Sequence, residues 1–347
     1  MNTTRRVFLG AAAGIAGVTG LHGWLNVNWT ALRNGFRSRA QLQTLEVGGL
    51  PVTCNLTLPI ACEARNLDTT FTRANFDYKR FSGWPEIKES LISGRINAAY
   101  MLAPLVMDLV AKDVPVKIVS LGHRSGAVIM VRTDSPYRKF QDLTSKRIAI
   151  PSRFAVDFLF LRKMLAKEGM SDKDVRIIEM APPDMPAALF ARAVDAYCVG
   201  EPFGASAQRA GYAIPLRMTR DEWPSYICCV LTVRQELIDE NPELVQDLVN
   251  YVQGAGHWLD AERNHRARAA GIAAGRNYFN QDRTIIQYVM DNPTDRVTYG
   301  DLRMIKEEFD DLMQLSLQAK TITRPIASES YIDDRFVKAA NPARIAL

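Results

Sequence analysis

Val194-Asp195-Ala196-Tyr197-Cys198-Val199-Gly200-Glu201-Pro202-Phe203-Gly204 is a short apolar run halted by a glycine and a Glu-Pro pair. Proline fixes its own φ and pushes the residue before it toward extended geometry. The stretch therefore reads as a buried strand ending in a turn. Glu201 is the only charge between Asp195 and Arg209. A lone carboxylate there is either an exposed turn residue or a group at the mouth of a ligand site. The neighbouring segments decide between the two.

Upstream, strands and helices alternate. Leu42–Gly49 and Asn75–Arg80 read as strands, with a loop from Leu50 to Leu58 and a helix opening near Pro59. Gly83 precedes a helix over Trp84–Ser93, with Pro85 in its first turn and Gly94 as its C-cap. Ile96–Leu102, Val114–Leu121, Ala127–Arg132, Arg147–Ile150 and Val175–Met180 read as further strands. Helices are expected over Pro104–Lys112, Phe154–Glu168, Met185–Ala193 and Ala205–Arg209. Ala213–Leu216 is another strand, and Pro242–Leu347 is mostly helical, with Trp258 in its core. This alternation predicts an α/β fold with mainly parallel sheets, whose ligands gather at strand ends near helix N-termini.

The chain has 347 residues, 47% hydrophobic and 23% charged, enough for two lobes around ordinary cores. Its net charge of +5 comes without a Lys/Arg run interleaved with aromatics, so nucleic acid is not an expected partner. The cysteines Cys54, Cys62, Cys198, Cys228 and Cys229 are odd in number and irregularly spaced, which argues against a disulfide framework. No His-x-x-x-His or Cys-x-x-Cys spacing suggests a metal, and the thiols and histidines read as separate buried or isolated groups. No Gly-x-Ser-x-Gly elbow, dinucleotide fingerprint or phosphate loop is present. No enzymatic activity and no cofactor are expected.

At the N-terminus, Arg5 and Arg6 precede a Gly/Ala-rich, weakly apolar run. This fits a twin-arginine export signal, with residues 1–39 as signal and tether. The loops Pro51–Asn55, Gly83-Trp84, Gly122–Gly126, Pro151–Phe154, Gly200–Phe203 and Pro224–Cys229 offer free backbone amides at helix starts, the inventory of a binding site.

Asp195–Phe203, Gly94–Pro104 and Ala181–Met185, with Trp223-Pro224 and Asn241-Pro242, occur in an order that resembles the periplasmic substrate-binding proteins of nitrate/bicarbonate and sulfonate-type ABC transporters. The resemblance implies a type II periplasmic-binding-protein fold, with two α/β lobes joined by two crossover strands. Residues 40–128 plus 228–345 would form one lobe and 129–227 the other. It also implies a periplasmic, monomeric protein that delivers a small-molecule ligand to a permease and its ATPase, after export by the twin-arginine translocase.

Trp84 matches a pocket-lining tryptophan of that family, and Glu201 matches its Gly-Glu-Pro glutamate. Ser152-Arg153-Phe154-Ala155 stands where the nitrate/bicarbonate branch has Gly-Gly-Thr-His, and Ser225–Cys229 replaces a segment ending in lysine. The expected ligand is therefore small and organic, either an anion such as a sulfonate or carboxylate or a flat heterocycle. Its expected contacts are Thr53, Asn55, Trp84, Arg124, Ser125, Ser152, Arg153, Phe154, Glu201, Tyr226 and Cys228, with Arg153 or Arg124 supplying the cation. Other readings are an enzyme resembling thiamin-pyrimidine synthases, of which Cys228-Cys229 is an echo, and a periplasmic ligand-sensor subunit. A transcription regulator would need a helix-turn-helix that the chain lacks.

Overall fold

Two five-stranded sheets carry the chain. The computed structural model describes residues 43–69 and 74–347. All of these except Gln43, Thr69 and Ala74 belong to one unit. The export motif at Arg5 and Arg6 lies outside the described residues.

The first sheet has the order β2-β1-β3-β11-β4, from β1 (Gln43–Gly49), β2 (Ala74–Arg80), β3 (Ala98–Leu102), β4 (Val116–Leu121) and β11 (Cys229–Arg234). The second has the order β10-β6-β9-β7-β8, from β6 (Ala127–Arg132), β7 (Arg147–Ile150), β8 (Arg176–Glu179), β9 (Ala196–Gly200) and β10 (Ala213–Met218). In each sheet the central strands are buried along their length and lack polar alternation, as they must when both faces are covered.

The expectation of mainly parallel sheets needs correction. β1–β3, β7–β8 and β7–β9 are parallel, but β11 runs antiparallel to both β3 and β4. β6 likewise runs antiparallel to β9 and β10. The physical reason is the path of the chain. It leaves the first sheet after β4, enters the second at β6, and returns from β10 into the middle of the first as β11. A strand that arrives from the opposite sheet runs against its neighbours.

Helices cover both sheets. Val156–Lys167 packs against β6 and β9, and its Phe158, Leu161, Met164 and Leu165 join Ile129, Ile148, Ile150 and Cys198 in a buried cluster. Burial of each such side chain contributes about 1.5–3 kcal/mol. Thr57–Leu67 packs on Pro242–Ala261, a 20-residue helix capped by Asn241 Oδ1, which accepts from Leu244 N–H. The helix Thr57–Leu67 begins two residues before Pro59. Proline is tolerated there because the first-turn N–H groups have no intrahelical acceptor. Trp258 is buried and stacks on His265 at 4.4 Å.

The two crossing segments lie side by side. Ser125 N–H donates to Tyr226 O at 3.2 Å, and Arg124 bridges Ile227 in antiparallel sense. A two-residue strand, β5 (Arg124–Ser125), also pairs with β12 (Val297–Thr298). Ser125 and Ser225 both sit in the left-handed region, at φ 61° and 57°, so each crossing turns sharply beside the other. Gly126 follows at φ 106°, where any side chain would be strained and would crowd Cys54 Sγ and Val297 at 3.1 Å.

Candidate functional site: a buried thiol and carboxylate cluster at the crossings

Two knots of charge hold the crossings. Arg124 is 1% exposed, and all five of its guanidinium N–H groups are engaged. Nε donates to Asp301 O, Nη1 to Ser225 O and Glu308 Oε1, and Nη2 to Arg303 O and Glu308 Oε2, at 2.7–3.0 Å. A guanidinium has five donors in all, so this one is wholly turned to the protein. The structure thus places Arg124 as a clamp between the crossing and the C-terminal helices, and its charge is already matched by Glu308.

Glu201 forms the second knot. Its side chain is fully buried, and Arg296, itself 3% exposed, donates to Oε1 from Nε at 2.7 Å and also from Nη2. Oε2 accepts the Ala205 N–H at 2.8 Å, inside the first turn of the helix Phe203–Arg209. The Glu201 backbone carbonyl accepts both the N–H and the hydroxyl of Thr53, at 2.8 and 3.0 Å. The carboxylate is therefore neither an exposed turn residue nor an open acceptor. It joins the end of β9 to the segment carrying Arg296, while its carbonyl joins β9 to the loop after β1.

Between these knots lies a cluster of groups contributed by both sheets and by the crossings. Cys54 comes from the 3-10 turn Thr53–Asn55, His123 from the β4–β5 link, and Tyr226, Cys228 and Cys229 from the return crossing. Asp157 stands in the first turn of Val156–Lys167, and Cys198 lies in β9. All are at most 3% exposed. Cys54 Sγ lies 4.0 Å from the Gly126 carbonyl oxygen, and the Cys228 and Cys229 sulfurs are 3.9 Å apart. Cys198 Sγ donates to Asp157 O at 3.2 Å.

The electrostatics of this group are shared. Hydrogen bonds from Cys229 and Cys54, and a further one with His123, hold the Cys228 thiol well below the ordinary range despite its burial. The hydrogen bond with Cys228, and then burial, push Cys54 up. Burial, followed by the hydrogen bond with Cys228, raises Cys229. Burial and then the charge of Cys228 raise Asp157.

Several polar atoms in this neighbourhood lack a partner: Asn55 Nδ2, His123 Nδ1, Asp157 Oδ1 and the Tyr226 hydroxyl. Buried polar groups are nearly always paired, so each of these atoms has capacity for a further hydrogen bond. Tyr226 stacks on Trp223 at 5.3 Å, giving the cluster one flat aromatic wall.

The remaining expected contacts are distributed differently. Ser125 Oγ accepts the Ser225 N–H at 3.2 Å and serves the crossing itself. Ser152 Oγ accepts the Phe154 N–H at 3.2 Å, which shapes the turn before Val156–Lys167. The Arg153 side chain is 46% exposed, 3.6 Å from Glu179, and packs over the Phe158 ring. The Phe154 ring lies 6.0 Å from Lys112 Nζ. Trp84 is buried at the first position of Trp84–Ile92 and enters none of the hydrogen bonds above.

Sequence reasoning reaches Cys54 and His123 only as members of the loops Pro51–Asn55 and Gly122–Gly126, and does not single out Asp157 or Cys198. Their spacing carries no signal, because each comes from a different loop or element. A surface groove of about 540 Å³, lined by Arg162, Lys163, Lys167 and Leu315 among others, shares no residue with the cluster.

This mixed α/β architecture of two crossed sheets is that of the periplasmic binding proteins. Residues 38–274 match the NMT1-like family, and the chain belongs to it. It is 25% identical over 281 residues to the nitrate/nitrite binding protein NrtA of Nostoc sp. strain PCC 7120, covering 74% of this chain and 62% of that protein. It is 24% identical to the taurine-binding periplasmic protein of Escherichia coli, over 60% of this chain and 69% of that one. The chain thus spans less than two thirds of the length of the Nostoc relative.

Among solved structures, a ligand-binding component of an ABC-type import system from Staphylococcus aureus, described with zinc bound, superposes with a TM-score of 0.77 at 26% identity, over 87% of this chain and all of that one. The periplasmic nitrate-binding protein NrtA of Synechocystis PCC 6803 follows at 0.76 and 17%, over 86% and 88%. The desulfurization enzyme DSZB shares the fold at 0.61 and 18%, over 85% and 98%, so this architecture also carries catalysis. Among the described residues, no helix is long and apolar enough to cross a membrane.

Proposed function

We propose that this chain is the periplasmic solute-binding component of an ABC-type importer. Residues 40–128 plus 228–345 form one lobe and 129–227 the other, and they close on a small organic ligand at the crossings. Export follows the twin-arginine route from Arg5 and Arg6, and the closed monomer presents the ligand to a permease driven by its ATPase.

The observation that carries this reading is the set of unpaired buried polar atoms where both sheets meet: Asn55 Nδ2, Asp157 Oδ1 and the Tyr226 hydroxyl. A ligand bearing one N–H donor and one acceptor beside a flat ring satisfies all three. An inorganic oxyanion does not. Arg124 and Arg296 are spent on Glu308 and Glu201, and Arg153 is largely exposed beside Glu179. The proposed ligand class is therefore a small neutral heterocycle or amide.

The test is a thermal-shift screen of the full chain, with chelator present, against nitrate, taurine, alkanesulfonates, carboxylates, amides and aminopyrimidines. A ligand at 100 times its dissociation constant stabilises by about 2.7 kcal/mol. The expected hits are neutral heterocycles or amides, with affinity lowered at least tenfold by Asn55→Ala. Binding of nitrate or taurine that survives Asn55→Ala and Tyr226→Phe would overturn this ligand class.

A further inference from the structure

The sulfur side of the cluster offers a different chemistry from its hydrogen-bonding side. One ring nitrogen of His123 and the sulfurs of Cys228 and Cys229 lie within 4.8 Å of one another, and all three residues are buried. We propose that His123, Cys228 and Cys229 bind a single thiophilic metal ion of the zinc class.

Three features carry the inference. The first is the spacing. A tetrahedral zinc with Zn–S bonds of about 2.3 Å sets its sulfurs about 3.8 Å apart. The Cys228 and Cys229 sulfurs are 3.9 Å apart, beyond any disulfide, and both thiols are free. Adjacent cysteines in a regular strand would point to opposite faces. Here Cys228 lies just before β11 begins at Cys229, where the crossing enters the sheet, and the two sulfurs come within 3.9 Å of each other.

The second feature is the state of His123. It is fully buried, its Nδ1 has no hydrogen-bond partner, and its Nε2 accepts the Cys229 N–H at a long 3.3 Å. A buried imidazole held so loosely is free to ligate.

The third is the chemistry of the donor set. Two thiolates and an imidazole in a dry site select a soft or borderline cation over magnesium or calcium. Binding transfers the thiol protons to solvent.

The inference uses the cluster of the proposed solute site but not its organic ligand, and the two are tested apart. The full chain is purified under reduction, stripped with chelator, and given Zn2+ alone or Co2+ alone, with no organic compound. The expected result is one equivalent of metal per chain. The cobalt form should show a sulfur-to-metal charge-transfer band and intense tetrahedral d–d bands. Both are lost in the Cys228→Ser/Cys229→Ser variant and kept in Cys62→Ala, whose thiol lies outside the cluster.

Absence of the charge-transfer band in the wild-type chain overturns the proposal, as does its persistence in the double serine variant. Should that variant fail to fold by circular dichroism, alkylation of the wild-type chain decides. Zinc should slow labelling of Cys228 and Cys229 at least tenfold and leave Cys62 unchanged, and equal rates with and without zinc overturn the site. Failure of this test leaves the solute-binding reading intact, because the organic screen is run with chelator present.

Discussion

Replacing Arg296 by methionine should destabilise the protein by about 3–5 kcal/mol, the cost of leaving one buried charge without its partner. The magnitude follows from the geometry of Glu201. Its carboxylate has no exposed surface, and Arg296 is only 3% exposed, so water cannot take the place of the missing guanidinium. Oε1 would lose both of its donors and keep none, while Oε2 would retain the Ala205 N–H. Glu201→Gln should cost a similar amount from the other side, by leaving the guanidinium buried beside a neutral amide. The double variant removes both charges. It should lose about as much as either single change, so the coupling energy is on the order of 3 kcal/mol. Urea unfolding of the four proteins, read at constant slope, measures this cycle. Additivity of the two single losses to within about 0.5 kcal/mol, or a loss below about 1 kcal/mol for Arg296→Met, would refute the claim that this pair is desolvated and mutually dependent.

Gly254→Ala should destabilise by about 1–3 kcal/mol in the same assay, because a Cβ there would lie 2.1 Å from the Ala343 carbonyl oxygen. Gly83→Ala, whose Cβ would have 3.6 Å of room and whose backbone is extended, should be tolerated. Asp157 should make stability fall as pH rises. Burial holds its folded pKa above the unfolded one, so the stabilisation is complete below the unfolded value near pH 4 and is lost as pH climbs toward the folded value. Asp157→Asn should remove this dependence, and the variant should gain on the wild type between about pH 4 and 7 in urea titrations. A constant difference across that range would contradict the assignment.

Much of the fold is legible in the chain because its signals are local. The apolar runs at Ala98–Leu102, 127–131 and Ala196–Gly200 are buried strands, since no residue in them carries a charge that would need water. Gly83 and Pro85 announce the helix Trp84–Ile92 within one turn. The Gly-Glu-Pro segment likewise pointed to the family. Strand direction was not legible. Whether β11 joins its sheet parallel or antiparallel depends on where the chain has been for the preceding hundred residues, and no local pattern records that.

The binding groups divide along the same line. Arg124 and Arg153 both look, in sequence, like cations available to an anionic ligand. Only the fold shows that Glu308 and three backbone carbonyls already surround Arg124, while Arg153 stands largely in solvent beside Glu179. Cys54, His123 and Cys228 are separated by 69 and 105 residues, so no spacing rule links them. They meet because two crossings and one loop end at the same point between the sheets.

By itself, the sequence determined the elements, the buried strands and the α/β class, since each follows from the preferences of residues within a few positions of one another. The tertiary structure alone decided which charges are spent, which polar atoms are left unpaired and which thiols touch. Those depend on desolvation and on distances between segments far apart in the chain, and neither quantity exists until the two sheets have closed around the crossings.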